Sequence, residues 1–370
     1  MQSEKAEKIA NLVRSKILGG KVLSIQLSDK YNPHFAKILV QNFQNKRIAV
    51  VVELFTESSE NLLTYSLLWF YELEKLKTKS AEKIWIISPN SPKLAGLCAV
   101  LKDEWQQKIR VFDMQLHEIF EDFSEVKKVR LNKPPKINLK AQEIISFAPK
   151  EIQIQGNNLA FNGLPFVKFG KDKTWFGIEY QRQILNENAW KELTQLVENL
   201  ALYRQYNSPN KSHAFYKLLP EAWLESLLRN DISVLDANLI LSPLHNQFRA
   251  SSEQIDLLAL RKDGRLVIIE LKVSPNREHL FQAVDYWHEI EKQRIAGNLK
   301  GLFGKLKIAD EPGLVYLVAP HSCFHKDFDF LAKMVSDELE IYRFDINENW
   351  RKKVKVIERK SLSTDKHGYF

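Results

Sequence analysis

The sequence predicts an α/β chain in which two α/β segments flank a small β-rich insert. Three observations carry that expectation. The second half holds an apolar hairpin followed by a long amphipathic helix, an earlier stretch repeats the same order of elements, and short alternating segments with Gly/Asn turns lie between them. "LNKPPK" at 131–136 and "NSPNKSH" at 207–213 punctuate the chain, so the expected units are residues 1–130, 131–206 and 207–370.

The hairpin is "IDLLALRKDGRLVIIELK", residues 255–272. Its strands are apolar on both faces, as in a central strand covered on both sides. Away from its turn, three ionisable residues nevertheless sit within it: Asp256, Glu270 and Lys272. Side chains alternate along a strand, so Glu270 and Lys272 share a face. The turn decides where Asp256 points. A two-residue Asp263-Gly264 turn puts it on the opposite face, whereas a three-residue Lys262-Asp263-Gly264 loop pairs position 256 with 270. The second register is expected, because glycine commonly fills the left-handed position of such a loop.

Two neighbouring carboxylates in an apolar strand repel each other and lose solvation. A shared divalent cation removes the difficulty, and Mg²⁺ prefers such oxygen ligands. The plainer reading of an isolated Glu-x-Lys strand is a buried ion pair. Flanking segments add weight to the first reading. "VSPNREHLFQAVDYWHEIEKQ" begins a helix with Leu280, Val284 and Trp287 on one side, and Gln282 and Tyr286 lie one turn apart. Upstream, "LPEAWLESLLRN" reads as a helix with Pro220 in its first turn and Glu221 and Glu225 one turn apart.

Helix with acid, strand with Asp256, strand with Glu270-Leu271-Lys272, then helix with Gln282-x-x-x-Tyr286: in this order the residues resemble the PD-(D/E)XK nuclease superfamily, over about residues 213–346. The Gln-x-x-x-Tyr helix looks like RecB-type nucleases, and the stretch from Pro220 through the hairpin looks like NucS-type DNA-repair endonucleases. Ile255 stands where the motif's name has proline. The resemblance implies a restriction-endonuclease-like α/β/α fold and an endonuclease acting on nucleic acid, DNA above RNA. It implies Mg²⁺ or Mn²⁺ held by Asp256, Glu270 and the Leu271 carbonyl, with Lys272 positioning or activating the attacking water. Gln282 and Tyr286 would steady the site, and Glu221 would be an outer ligand, with Glu225 the alternative helix acid. A homodimer is the expectation if both strands of a duplex are cut, unless the two halves give pseudo-symmetry within one chain.

"VVELFTESSENLLTYSLLWFYELEK" (51–75) lies without a gap on "IIELKVSPNREHLFQAVDYWHEIEK" (268–292). That alignment places Glu53 on Glu270, Phe55 on Lys272, Leu39 on Asp256 and Tyr65 on Gln282. The first half therefore reads as a second restriction-endonuclease-like domain without chemistry, a degenerate copy that contacts nucleic acid, pairs with the active half or supports it.

Composition bounds the rest. The chain has 370 residues, enough for two or three cores, and its 44% hydrophobic content is that of a globular protein. No apolar run approaches the roughly 18 residues of a membrane span. "MQSEKAEKIANLVRSK" reads as an amphipathic helix rather than a signal peptide. Two distant cysteines, Cys98 and Cys323, suit a reducing cytoplasm. The formal charge of +8 fits a polyanionic partner. Lys168, Lys171, Lys173 and Trp175 read as a solvated hairpin edge and a core tryptophan. His321, Cys323 and His325 lack an evident fourth zinc ligand. "RKKVKVIERK" fits a phosphate-tracking tail or a charge-guarded edge strand equally well. No phosphate loop or dinucleotide fingerprint is present. A non-catalytic nucleic-acid-binding or scaffold protein is the alternative reading.

Overall fold

The computed structural model describes residues 2–29, 34–76, 80–121, 139–242, 249–250 and 253–362. The "LNKPPK" linker lies outside them. The chain is mixed α/β with three larger sheets and a two-stranded ribbon.

The first sheet follows helix α1 (Gln2–Lys16), the amphipathic segment expected from the sequence. It is built from β1 (Lys21–Leu27), β2 (Phe35–Gln41), β3 (Arg47–Glu53), β4 (Lys83–Ile87) and β5 (Ile109–Phe112), in chain order. β1 to β3 are antiparallel, and β3, β4 and β5 are parallel. Helix α2 (Ser59–Lys75) crosses from β3 to β4, capped by the Ser58 side chain, which accepts from Asn61 N. Helices α3 (Ser91–Ala99) and α4 (Asp103–Gln106) lead into β5.

The middle segment is the meander its Gly/Asn turns predict. After α5 (Leu139–Ser146) come β6 (Ile152–Gln155), β7 (Asn158–Phe161), β8 (Leu164–Phe169), β9 (Thr174–Phe176) and β10 (Gln183–Ile184), all antiparallel, closed by α6 (Trp190–Tyr203). Lys168, Lys171 and Lys173 project outward, and Trp175 folds over Gly170.

After α7 (Ala214–Lys217) and α8 (Pro220–Asn230), β11 (Leu239–Leu241) enters the third sheet. The ribbon β12 (Arg249–Ala250) and β13 (Glu253–Gln254) precedes the hairpin β14 (Leu257–Arg261) and β15 (Leu266–Leu271). Helix α9 (His279–Ile295), β16 (Leu314–Pro320), α10 (Phe328–Ala332), β17 (Ile341–Ile346) and β18 (Val356–Ser361) complete it. The strand order is β11-β14-β15-β16-β17-β18, with β15, β16 and β17 parallel. The core of this sheet repeats the first: an antiparallel pair, a helical crossover, then two parallel strands. β18, from the basic tail, is an edge strand.

The four helices α2, α3, α9 and α10 lie between the two sheets and share one core. Leu62, Leu67, Phe70 and Leu94 pack in a single cluster with Phe281, Val284, Leu317 and Phe328. The first half thus pairs with the second. Polar contacts cross the same seam: Ser58 Oγ donates to Glu278 at 2.8 Å, and Lys93 bridges Glu60 (2.7 Å) and Asp285 (3.2 Å). α1 covers the outer face of the first sheet and α8 the outer face of the third. The meander presses on α8 where Gly163 adopts φ +79; a Cβ there would stand 1.9 Å from the Ala222 carbonyl oxygen.

Candidate active site

The hairpin register places the charged residues. Leu257 pairs with Ile269 and Leu260 with Leu266, so continuing by one residue sets Asp256 opposite Glu270. Arg261 N donates to Arg265 O across the three-residue loop, and Gly264 takes φ +89. This is the second register, and it follows from the glycine: an L side chain there would be strained and crowd Lys307 O at 3.1 Å.

On β14 and β15, Leu258, Leu260, Leu266 and Ile268 pack against Tyr286 of α9, while Leu257, Val267, Ile269 and Leu271 pack toward α8. Alternation therefore sends Glu270 to the α9 side, with Lys272 following just past the strand end, while Asp256 sits in the bend before β14, where Ile255 and Leu258 both join the α9 cluster. There Lys272 Nζ lies 2.7 Å from Glu270 Oε1, both residues being buried. Asp256 Oδ2 accepts from Leu271 N at 2.8 Å. Burial first, and then the Glu270 charge, push the Asp256 carboxyl well above the usual range, with Lys272 working the other way. Burial disfavours the Lys272 charge, but Glu270 and Asp256 outweigh it and hold the ammonium protonated.

Among the α8 acids, Glu225 is engaged by Arg229 at 2.7 Å, and burial still raises its carboxyl pKa. Arg229 also donates to the Asp256 carbonyl at 3.2 Å. Glu221 is partly exposed in the first turn, and its charge acts on Lys272. On α9, Tyr286 is buried against the hairpin, and Gln282 Oε1 is buried without a hydrogen-bond partner among the described residues. Two further residues were not anticipated. Arg229 ties the helix acid to the Asp256 backbone, and its i,i+4 spacing from Glu225 was the available signal. His279 is buried with Nε2 3.2 Å from the Glu270 carbonyl oxygen; burial and Lys272 hold its pKa down to about 3, so it is neutral. Its place at the start of α9 gave no sign of that contact.

The first half differs at the same places, and one sequence assignment is corrected. Phe35, not Leu39, stands opposite Glu53. The gap-free alignment fails across the turn although both hairpins close through three-residue loops, Asn42 N donating to Lys46 O as Arg261 N does to Arg265 O: Glu53 lies two residues farther from its turn than Glu270 does from its own. Glu53 accepts from Ser88 Oγ and from Glu57 N, so local donors occupy it. Phe55 is exposed.

His321, Cys323 and His325 do not converge: His321 meets Asp345 at 2.6 Å, Cys323 donates to Val273 O, and His325 accepts from Asp327 N. His321, Asp345 and Glu358 do gather within 4.8 Å, the one such cluster among the described residues. Arg343 already donates to both Asp345 oxygens, at 2.6 and 2.9 Å, which makes it a salt-bridge network. No helix of the described residues is long and apolar enough to cross a membrane.

Comparison with known proteins adds no relative: no protein-family model, curated protein or solved structure matches this chain.

Proposed function

We propose that the chain is a metal-dependent nuclease, an endonuclease hydrolysing phosphodiester bonds in nucleic acid and DNA foremost, acting in repair, recombination or defence in a reducing cytoplasm. In this reading the two sheets with their helices are two restriction-endonuclease-like domains, the first degenerate. The observation that carries it is the convergence of Asp256, Glu270 and Lys272 at the carboxyl end of β15, with Gln282 and Tyr286 alongside.

The donor set fits a hard divalent cation. Two carboxylates and a strand-end carbonyl are oxygen ligands, and Gln282, one turn before Tyr286 on α9, carries a buried oxygen without a partner among the described residues. Asp256, Glu270 and the Leu271 carbonyl would hold Mg²⁺ or Mn²⁺, with Glu221 as an outer ligand. The cation would supply charge stabilisation at the scissile phosphate. Lys272 stays charged, so it orients water or phosphate as a point charge rather than accepting a proton. Neutral His279 and the Arg229–Glu225 pair fix the strand ends that carry the two acids.

One observation favours the rival scaffold reading: Lys272 already neutralises Glu270 directly. Cleavage of labelled single- and double-stranded DNA with Mg²⁺ or Mn²⁺, wild type against Lys272→Ala, separates the two. Metal-dependent cutting lost in the variant supports the nuclease. No cutting by either protein on DNA or RNA favours the scaffold.

A further inference from the structure

Across the third sheet, Leu271 pairs with Val318 and Val318 with Phe344. The loop between β17 and β18 therefore leaves the sheet at the same end as Glu270 and Lys272, about 10 Å away at roughly 4.8 Å per strand. That loop carries Trp350, Arg351 and Lys352.

The Arg351 guanidinium rests on three rings, 4.3 Å from the centre of Trp350, 4.8 Å from Tyr216 and 5.1 Å from Trp223. Arg204 stands over Trp223 as well, at 4.9 Å, so two guanidinium groups share one indole. Arg204 is saturated by backbone carbonyls, among them Phe161, Asn162, Phe215 and Leu218. Arg351 is not: its Nε is buried without a hydrogen-bond partner, and no carboxylate pairs with it among the described residues. Lys352 and Lys211 flank the cradle, each 5.6 Å from the Tyr206 ring. Two cations are thus held together with no anion among the described residues. The rings supply some attraction, but a partly buried guanidinium remains short of a counterion.

We propose that Arg351 receives a backbone phosphate of the polynucleotide whose scissile bond lies at Asp256 and Glu270, a few nucleotides along the strand. The inference rests on the nuclease reading and adds a second contact point to it. The fork of a guanidinium suits phosphate oxygens, and the aromatic bed presets its orientation. Tyr216 and Trp223 belong to the segment that leads into and begins α8, so the same segment places Glu221 near Lys272 and builds the cradle.

The test is anisotropy of a fluorescein-labelled DNA duplex and single strand, in EDTA, over a salt series, with wild type, Arg351→Gln, Arg351→Lys and Lys272→Ala. Each phosphate neutralised contributes about one unit to the slope of log K against log salt. Arg351→Gln should weaken binding several-fold and flatten the slope by about one, while Arg351→Lys keeps the slope. Melting curves show that each variant is folded. Equal affinities and slopes for wild type and Arg351→Gln would overturn the inference and leave the nuclease reading standing if Lys272→Ala alone stops cutting. Stabilisation of wild type but not Arg351→Gln by inorganic phosphate, with no polynucleotide binding, would reassign the cradle to a free anion and overturn both readings. An unchanged slope with Arg351→Gln merely less stable would reduce Arg351 to a packing role.

Discussion

Phe35 and Tyr65 pack with ring centres 4.7 Å apart, at the positions where the second half carries Asp256 and Gln282. An aromatic pair thus fills the space where the other half gathers polar groups, and Lys37 lies over the Tyr65 ring at 4.7 Å. Phe35 belongs to the core shared by both halves. Phe35→Ala should cost about 3 kcal/mol of stability. Cutting per folded molecule should not change, as urea titration beside a cleavage assay would show. Loss of cutting in a fully folded variant would mean the first half takes part in the chemistry.

Opposite signs are expected at the candidate centre. Lys272→Ala leaves Glu270 buried without its 2.7 Å partner and should destabilise the metal-free protein by roughly 3 kcal/mol. Asp256→Asn removes one of two repelling carboxylates yet keeps an oxygen for Leu271 N, so it should raise metal-free stability by about 1 kcal/mol. Both variants should lose cutting. Denaturant curves in EDTA check the pair, and a fall in stability for both would contradict the repulsion.

Metal should stabilise as well as activate. Mn²⁺ at about one hundred times its dissociation constant should add roughly 2.7 kcal/mol to wild type, and EDTA should reverse this and stop cutting. Asp256→Asn should show no such gain. A calorimetric scan with and without Mn²⁺ decides it, and equal gains in both proteins would place the metal elsewhere.

The seam between the halves should titrate. Burial pushes the Asp285 carboxyl from an ordinary 3.8 up to about 7, Lys93 lowers it, and Glu60 and Glu289 add to the rise. An acid held protonated only in the folded chain contributes stability that is full below the ordinary value and lost as pH climbs through the folded one. Wild type should therefore lose up to about 4 kcal/mol relative to Asp285→Asn between about pH 4 and pH 7. Urea midpoints of the two proteins across that range test it, and parallel curves would refute it.

Much of the candidate site was legible because its determinants are local. Alternation put Glu270 and Lys272 on one face, and Gly264 fixed the register that set Asp256 opposite Glu270. The failure at Leu39 has a local cause too: the first hairpin runs two residues longer between turn and acid, and a gap-free alignment carries that shift through the whole partner strand. His279 escaped notice because its contact with the Glu270 carbonyl spans a turn whose path the sequence does not encode.

The order of elements, the faces of the hairpin, the meander and the grouping of two acids with a lysine can all be read from local pattern. These follow from periodicities of two and 3.6 residues and from glycine's freedom at one turn. It took the packed chain to bring α2, α3, α9 and α10 into one core between two sheets, and to set Arg351, without a carboxylate partner among the described residues, at the same sheet end as Glu270. An apolar helix face specifies that it must be covered but not by what, and strand pairing between distant segments is set by the whole packing problem rather than by either segment alone.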